Sequence, residues 1–200
     1  MRKKHIIPAL FIVAALIQLA IPAQMVWNHE DILESGRVYR FKTAPIDPSD
    51  PFRGKYITLS FEADGWITVP THDWDNGDAV FVQLTNDSAG FAQIAGISKD
   101  QPNTTNNYFE TKIQYTNYEN DTTQVFIEFP FDRYYMTETK AYTAETAVRK
   151  ATADSTQVTY ALVSIKDGTA VLKDVMVNDT PIKTWVEQIM REENQSKDLP

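Results

Sequence analysis

The pattern of apolar and polar positions divides the chain into two parts. Residues 6–27, IIPALFIVAALIQLAIPAQMVW, are 22 residues without a charged side chain, and they follow Arg2, Lys3 and Lys4. As an α-helix this segment would be about 33 Å long, enough to cross the hydrocarbon core of a bilayer. A buried helix of a globular protein would show a polar face, and this segment has none. The pattern therefore predicts either a membrane-spanning helix or the apolar part of a signal peptide.

Two interpretations of this segment stay open. The length of the apolar run and the position of Trp27, where an interfacial aromatic residue is common, favour an uncleaved single-pass anchor. The alternative is a signal peptide cut near Ala23, although Ala20 and Ala23 match the usual small-residue pattern only loosely. In both cases the positive N-terminal flank stays in the cytoplasm, and the rest of the chain crosses the membrane.

The second part of the chain has the period of β-strands with one wet face. In the segment 108–116, Phe109, Ile113 and Tyr115 are predicted to share one face of a strand, opposite to Glu110. The predicted strands are 37–43, 55–63, 65–70, 79–85, 91–98, 108–116, 124–129, 157–165 and 169–177.

Turn residues stand between several of these strands. Asn76-Gly77 separates WITVP from AVFVQL, and Asp167-Gly168 separates VTYALVSI from TAVLKDV. Both dipeptides favour the positive φ angles of tight turns, so we expect a β-hairpin at each. The segments 98–107 and 117–123 are predicted as loops, because their Asn, Asp, Thr and Pro residues compete with strand pairing.

Two segments have helical periodicity. Their apolar positions are Ala141, Ala144, Val148 and Ala151 in the first, and Ile182, Trp185, Val186 and Ile189 in the second. We therefore expect a mainly β fold, an antiparallel sheet, sandwich or partly open barrel, with one short helix near 140–152, a possible C-terminal helix that packs on the domain, and the N-terminal transmembrane helix. The expected division is a membrane anchor or signal peptide at 1–27, a polar connector with about one helical turn at 28–36, a β domain at 37–183, and a C-terminal helix and charged tail at 184–200.

Charge and cysteine content exclude several classes of function. Without the three N-terminal basic residues, 16 Lys+Arg stand against 27 Asp+Glu, a formal charge of −11. An acidic surface of this kind repels nucleic acid, so no nucleic-acid partner is expected. The chain has no Cys, which excludes disulfides, thiolate metal sites and a cysteine nucleophile.

The segment HDWDNGD at 72–78 offers an imidazole and three carboxylates, but it does not fit a calcium loop. Gly77 falls one place early, and Leu84 stands where the loop needs a bidentate Glu. We expect a solvated turn and no metal. A Ser/Lys dyad of Ser60 and Lys55 is disfavoured, because residues five apart point to opposite faces of a strand. No catalytic residue and no cofactor are predicted.

Residues 45–61, PIDPSDPFRGKYITLSF, carry a resemblance to a known family. The run from Gly54 to Phe61 resembles the motif of the bacterial GDYXXLXY family, and FDRYYMTE and the closing VTYALVSIKDGTAVLKDVMVND resemble further features of that family. The chain departs from the motif at Lys55, where the family has Asp, and at Phe61, where it has Tyr. A catalytic role for the motif's Asp would be incompatible with Lys55.

The resemblance implies a membrane-anchored envelope protein, in a family often associated with multi-pass membrane proteins. It points to a set of motif and recognition residues, namely Arg53, Gly54, Tyr56, Leu59, Phe61, Arg133, Tyr134, Tyr135 and Glu138. Because residues 57, 59 and 61 alternate with polar ones, Ile57, Leu59 and Phe61 are expected in the core.

The expected function is an interaction or accessory module for an integral membrane partner. The chain would sit in the bacterial cytoplasmic membrane through residues 6–27, with its domain facing the periplasm or the cell exterior, or be secreted to the periplasm after cleavage near Ala23. Two alternatives stay open. One is a hydrolase or peptidase-like enzyme that uses polar groups near Arg53, Lys55 and His72. The other is a ligand-binding domain for carbohydrate or peptide that uses its tyrosines.

Overall fold

The structure is a computed structural model that describes residues 3–44, 56–63, 65–70, 73–103, 107–119, 121–136, 144, 146, 151 and 156–197. In these ranges the long helices are α1 (Lys3–Ser35) and α2 (Ile182–Lys197). The strands are β1 (Arg37–Ala44), β2 (Tyr56–Thr58), β3 (Ser60–Phe61), β4 (Trp66–Val69), β5 (Ala79–Asn86), β6 (Ala92–Ser98), β7 (Tyr108–Glu119), β8 (Thr122–Ile127), β9 (Arg133–Tyr135), β10 (Thr159–Lys166), β11 (Thr169–Val177) and β12 (Thr180–Pro181).

The N-terminal helix α1 is one continuous element of 33 residues, about 50 Å long at 1.5 Å per residue. From Leu10 onward it is long and apolar enough to cross a membrane, and its most apolar stretch is not buried against the domain. A membrane anchor and a signal sequence both have this character. The helix also continues through residues 28–35, where the sequence suggests a connector with about one helical turn.

The strand pairs of the described residues are antiparallel and form two five-stranded sheets, in the orders β12-β11-β10-β1-β3 and β4-β8-β7-β5-β6, and one two-stranded sheet of β2 and β9. The sheets meet where the amide of Glu110 donates to the carbonyl oxygen of Gly168 at 2.7 Å. Residues from the edge strands β4 and β6, Ile67 and Ile94 among them, line a groove of about 460 Å³. The result is a mainly antiparallel β fold with a nearly closed, barrel-like shape, which confirms the predicted fold class and agrees with the barrel among the three predicted architectures.

The inner faces of both sheets share one core. Its centre is a group of phenylalanine rings whose neighbouring centroids lie 4.9 to 5.9 Å apart, a normal spacing for tilted and edge-to-face pairs. These rings belong to Phe41, Phe61, Phe109, Phe129 and Phe131. The C-terminal helix closes one side of the core with Ile182 and Val186, which are fully buried, so the docking expected for this helix is confirmed.

The two turn dipeptides have different outcomes. Asp167 and Gly168 have φ angles of 49° and 81° and join β10 to β11, so the hairpin predicted there is confirmed. At Asn76-Gly77 the predicted hairpin is wrong. Gly77 does have a positive φ of 92°, but β4 pairs with β8, and β5 pairs with β6 and β7. The turn chemistry fixes the local backbone without deciding which strands pair.

The predicted face of Tyr115 is also wrong. An irregularity in β7 places Ile113 opposite Ile127 but Tyr115 opposite Phe126. Since side chains alternate along a strand, one extra residue turns every later side chain to the other face. Ile113 is therefore buried, and Tyr115 lies on the outer face of the sheet, 60% exposed.

The observed secondary structure differs from the predicted one at a few further segments. The sequence does not predict β9 or β12, because runs of three and two residues are too short to show alternation. Part of the loop expected at 117–123 is strand, since long-range pairing of β7 with β8 outweighs the local turn preference. Of the helix expected near 140–152, the described Ala144, Thr146 and Ala151 are helical, and both alanines are buried.

Candidate functional site

The structure brings the motif strand β2 and the later strand β9 together. They pair antiparallel, with Tyr56 opposite Tyr135 and Thr58 opposite Arg133. Two segments of the family resemblance, about 75 positions apart in the chain, thus form one two-stranded unit. Arg53, Gly54 and Glu138 of the expected set lie outside the described residues.

The apolar half of the motif is buried as predicted. Ile57, Leu59 and Phe61 are in the core, and the amide of Leu59 donates to the carbonyl oxygen of Asp132 at 2.7 Å. Immediately after Leu59 the chain changes partner, because β3 pairs with β1 rather than with β9. Leu59 and Phe61 therefore join the β2–β9 unit to the first sheet, and they present no surface to a partner.

The exposed half of the unit is a cluster of one cation and two phenol rings, here called the Arg133 cluster (Tyr56, Arg133 and Tyr135). The rings of Tyr56 and Tyr135 are 5.5 Å apart, and the Arg133 guanidinium carbon lies 5.4 Å from the centroid of Tyr56. Tyr135 is 66% exposed. The negative charge of Asp132, 3.7 Å from the guanidinium, and then the hydrogen bond with Tyr135 raise the pKa of Arg133.

Tyr134 points the other way, into the domain. Its buried hydroxyl donates to Oδ1 of Asp174 in β11 at 2.8 Å. Burial, followed by the hydrogen bond to that carboxylate, raises the pKa of Tyr134. The ammonium of Lys183 lies 5.8 Å from the centre of the Tyr134 ring. Tyr134 thus fastens the β2–β9 unit to the first sheet.

The same sheet holds the end of α1 through contacts with β10. Ser164 donates to the carbonyl oxygen of Ile32 at 2.6 Å, and the Lys166 ammonium lies 2.6 Å from Oδ2 of Asp31 and 2.8 Å from the hydroxyl of Ser35. The Lys166 hydrogen bond is the main cause that lowers the pKa of Asp31.

Two further features contribute to the contact between the end of α1 and the first sheet. The Lys173 ammonium in β11 donates to the carbonyl oxygen of Leu33 at 3.3 Å. Such contacts satisfy carbonyl groups that have no partner within the last turn of a helix. A Cβ atom at Gly36 would lie only 2.4 Å from the hydroxyl of Ser164, so the close approach requires glycine. These residues could not be predicted from the sequence, because two lysines on strands carry no local signal of a distant helix end.

The residues considered for catalysis do not form a described site. Arg53, Lys55 and His72 lie outside the described residues, and Ser60 is exposed on the edge strand β3. Within the described parts of the chain, no three His, Asp or Glu side chains are grouped to hold a metal ion. In the HDWDNGD segment, Asp78 pairs with Lys99 at 2.7 Å.

A comparison with protein-family models matches residues 18–175 to the model described as GDYXXLXY protein. The match includes the end of α1, the Arg133 cluster and most of β11. Searches of curated proteins and of solved structures returned no match. Because the matched range covers most of the chain and contains both halves of the β2–β9 unit, the protein belongs to the GDYXXLXY family.

Proposed function

We propose that the protein is a single-pass component of the bacterial cytoplasmic membrane whose β domain, on the periplasmic or outer side, is an interaction module for an integral membrane partner. The observation that carries this proposal is the shared attachment of α1 and the Arg133 cluster to β11. Lys173 binds the last turn of α1, and the next residue, Asp174, binds Tyr134 of β9. These two contacts hold the exposed Arg133 cluster and the end of α1 on the same strand, which supports a recognition surface kept close to the membrane.

The length of α1 supports a position close to the bilayer. About 20 apolar residues cross a hydrocarbon core of about 30 Å, and residues 6–27 supply them. The helical residues 28–35 then add only about 12 Å before the domain begins. A membrane partner would reach the domain with a short extramembrane loop.

The chemistry of the Arg133 cluster suggests what that loop carries. Arg and Tyr are enriched at protein interfaces, where they combine apolar contact area with hydrogen bonding. The guanidinium of Arg133 can bind a carboxylate through two parallel hydrogen bonds. In a domain with a formal charge of −11, an exposed arginine is a local site for an acidic group. The expected partner element is therefore a carboxylate-bearing segment near the membrane surface.

Site-specific photo-crosslinking in cells tests the interaction. A photoreactive amino acid at position 135 is expected to give an adduct with a multi-pass membrane protein, identified by mass spectrometry, and Arg133→Ala is expected to reduce its yield. The same amino acid at position 115, where Tyr115 has nearly the same exposure, is the matched control. Arg191→Ala, which removes an exposed arginine from α2, controls for loss of charge. Equal adducts from positions 135 and 115, or no effect of Arg133→Ala, would contradict the proposal.

Topology is tested separately. A C-terminal alkaline phosphatase fusion is expected to be active, and carbonate washing is expected to leave the protein in the membrane. A reporter that works only in the cytoplasm would refute export of the domain. A mature N-terminus at residue 24 would instead refute the anchor and support the secreted alternative.

A further inference from the structure

A row of three aromatic side chains lies on the outer face of the second sheet, outside the β2–β9 unit. Trp66 of β4, Phe126 of β8 and Tyr115 of β7 stand opposite one another on adjacent strands. The centroids of Trp66 and Phe126 are 5.1 Å apart, and those of Phe126 and Tyr115 are 6.2 Å apart. We call these three residues the aromatic row. From its geometry we propose that it binds a neutral oligosaccharide of linked pyranose units.

The exposure of the row distinguishes it from the core aromatics. Trp66 is 47% and Tyr115 is 60% exposed, and Phe126 between them is half-buried. Cross-strand aromatic pairs do stabilise a sheet, by about 0.2–1 kcal/mol each. That effect alone does not explain why these three rings stay exposed to solvent, because the same pairs would contribute more if they were buried.

The irregularity in β7 is an independent sign that the row is a built feature. With Ile113 opposite Ile127, a regular strand would place Gln114 opposite Phe126 and turn Tyr115 toward the core. The extra residue instead puts Tyr115 opposite Phe126. Bulges disturb strand pairing and are frequent where a side chain must be re-aimed for function. Here the bulge completes the row.

Polar side chains lie on both sides of the row. On one side Thr68, Gln124 and Asn117 stand opposite one another across the same three strands. On the other side the Gln114 amide donates to the Glu128 carboxylate. Amides, hydroxyls and a carboxylate beside an apolar platform can bind the hydroxyl groups of a ligand and fix its orientation.

This combination matches the two surfaces of a pyranose. Its C–H groups carry small positive charges and pack on the electron-rich face of an aromatic ring, while its hydroxyls at the rim require hydrogen-bond partners. Successive rings of the row are tilted by 44° and 33° relative to each other, so the row is not one flat surface. A chain of linked sugars can place successive units along such a platform, whereas a single small ligand would leave most of it uncovered.

Charge and the neighbouring groove restrict the ligand further. Phosphorylated or uronic-acid chains would meet Glu128 and a domain of formal charge −11, which favours a neutral glycan. Trp66 also lines the groove of about 460 Å³ between β4 and β6, together with Gln93 and Asp87. The row therefore leads to a concave region with more hydrogen-bonding groups, where an end of the oligosaccharide would lie.

Binding is tested on the full chain in phosphatidylcholine nanodiscs, which avoid the sugar headgroups of common detergents. Isothermal titration with cellohexaose, chitohexaose, laminarihexaose and, as an acidic control, a hexasaccharide of hyaluronan measures affinity. We expect saturable binding of at least one neutral hexasaccharide, weaker binding of the hyaluronan fragment, and a loss of affinity of about tenfold or more on Tyr115→Ala and on Trp66→Ala.

Tyr115→Ala decides the test if Trp66→Ala disturbs the short strand β4, because the Tyr115 side chain is largely exposed. Tyr135→Ala, at a similarly exposed tyrosine outside the row, is expected to leave sugar affinity unchanged. The proposal is overturned if none of the neutral probes binds, or if Tyr115→Ala leaves their affinity unchanged. Crosslinking from position 135 tests the membrane-partner proposal independently, so either proposal can fail alone.

Discussion

The β10–β11 hairpin and the β2–β9 pair are built in opposite ways. The hairpin joins strands of eight and nine residues through Asp167-Gly168, and its backbone ladder specifies it locally. The β2–β9 pair has two strands of three residues, far apart in sequence. It depends on side-chain contacts, chiefly those of Leu59 and Tyr134. Local pairing supplies the scaffold, and long-range packing positions the exposed cluster.

The two regions also differ in what they offer to other molecules. The hairpin binds the end of α1 through Lys166 and Lys173 and shares in the core, so its polar contacts are used within the chain. The β2–β9 pair exposes Arg133 and Tyr135 on one side and buries Tyr134 on the other. A small strand pair that is held by packing can present side chains without being part of a continuous sheet edge.

The largest effect is expected from Leu59→Ala, which removes the packing that holds the β2–β9 pair. Leu59 is buried beside the aromatic core, and deletion of a buried leucine side chain costs about 2–5 kcal/mol. Urea unfolding of the full chain in nanodiscs, followed by tryptophan fluorescence, measures the loss. Val38→Ala, at an exposed aliphatic residue of β1, is the control and should change stability by no more than about 0.5 kcal/mol. Similar losses for the two variants would mean that the pair does not depend on this packing.

Gly168→Val tests the hairpin in the same assay, with an intermediate effect. A β-branched residue resists a φ of 81°, and a Cβ atom there would lie 3.0 Å from the Tyr108 ring, so we expect a loss of about 1–3 kcal/mol. Gly77→Val is matched for positive φ, but nothing lies within 4 Å of a Cβ at that position. We expect a smaller loss at Gly77, since no hairpin depends on it. A loss at Gly77 that equals the loss at Gly168 would contradict the distinction between the two turns.

The same contrast explains what the sequence could predict. Two runs of eight and nine residues rich in Val, Thr and other strand-forming residues, with Asp167-Gly168 between them, carry enough local information to predict β10, β11 and the turn that joins them. The burial of Ile57, Leu59 and Phe61 follows from period-two alternation alone. The pairing of β2 with β9 could not be predicted from the sequence. Strands of three residues have no periodic signal, and their register depends on contacts made only in the folded chain. The exposure of Tyr115 could not be predicted from the sequence either. The bulge in β7 turns the Tyr115 side chain to the outer face of the sheet, and no glycine or proline marks its position in the sequence.

The smallest effect is expected from Tyr134→Phe, which cuts the hydrogen bond between the two regions. The variant keeps the ring and removes only the donor to Asp174. We expect a loss of about 1 kcal/mol at neutral pH, because Asp174 is only half-buried and still accepts a hydrogen bond from the amide of Val175 at 2.8 Å. A double-mutant cycle with Asp174→Asn isolates the pairwise contribution. No coupling in that cycle would mean that Tyr134 does not fasten the pair to β11.

The contact between Tyr134 and Asp174 can also be tested through the stability of the chain at alkaline pH. The pKa of Tyr134 is raised in the folded protein, so its contribution to stability is complete below the ordinary tyrosine pKa of about 10 and is lost as the pH rises through the folded value. Burial and Asp179 also raise the pKa of Tyr160, to about 12, and this contribution has the same sign. The wild-type chain should therefore lose stability above about pH 10, and Tyr134→Phe should make that decline shallower without abolishing it, since Tyr160 remains. If the stability of Tyr134→Phe falls with pH as steeply as that of the wild type, the Tyr134 hydroxyl has the same pKa in the folded and unfolded states. The Tyr134 hydroxyl would then be neither buried nor bound to Asp174 in the folded chain, and it would not hold the Arg133 cluster against β11, the strand that contacts the end of α1.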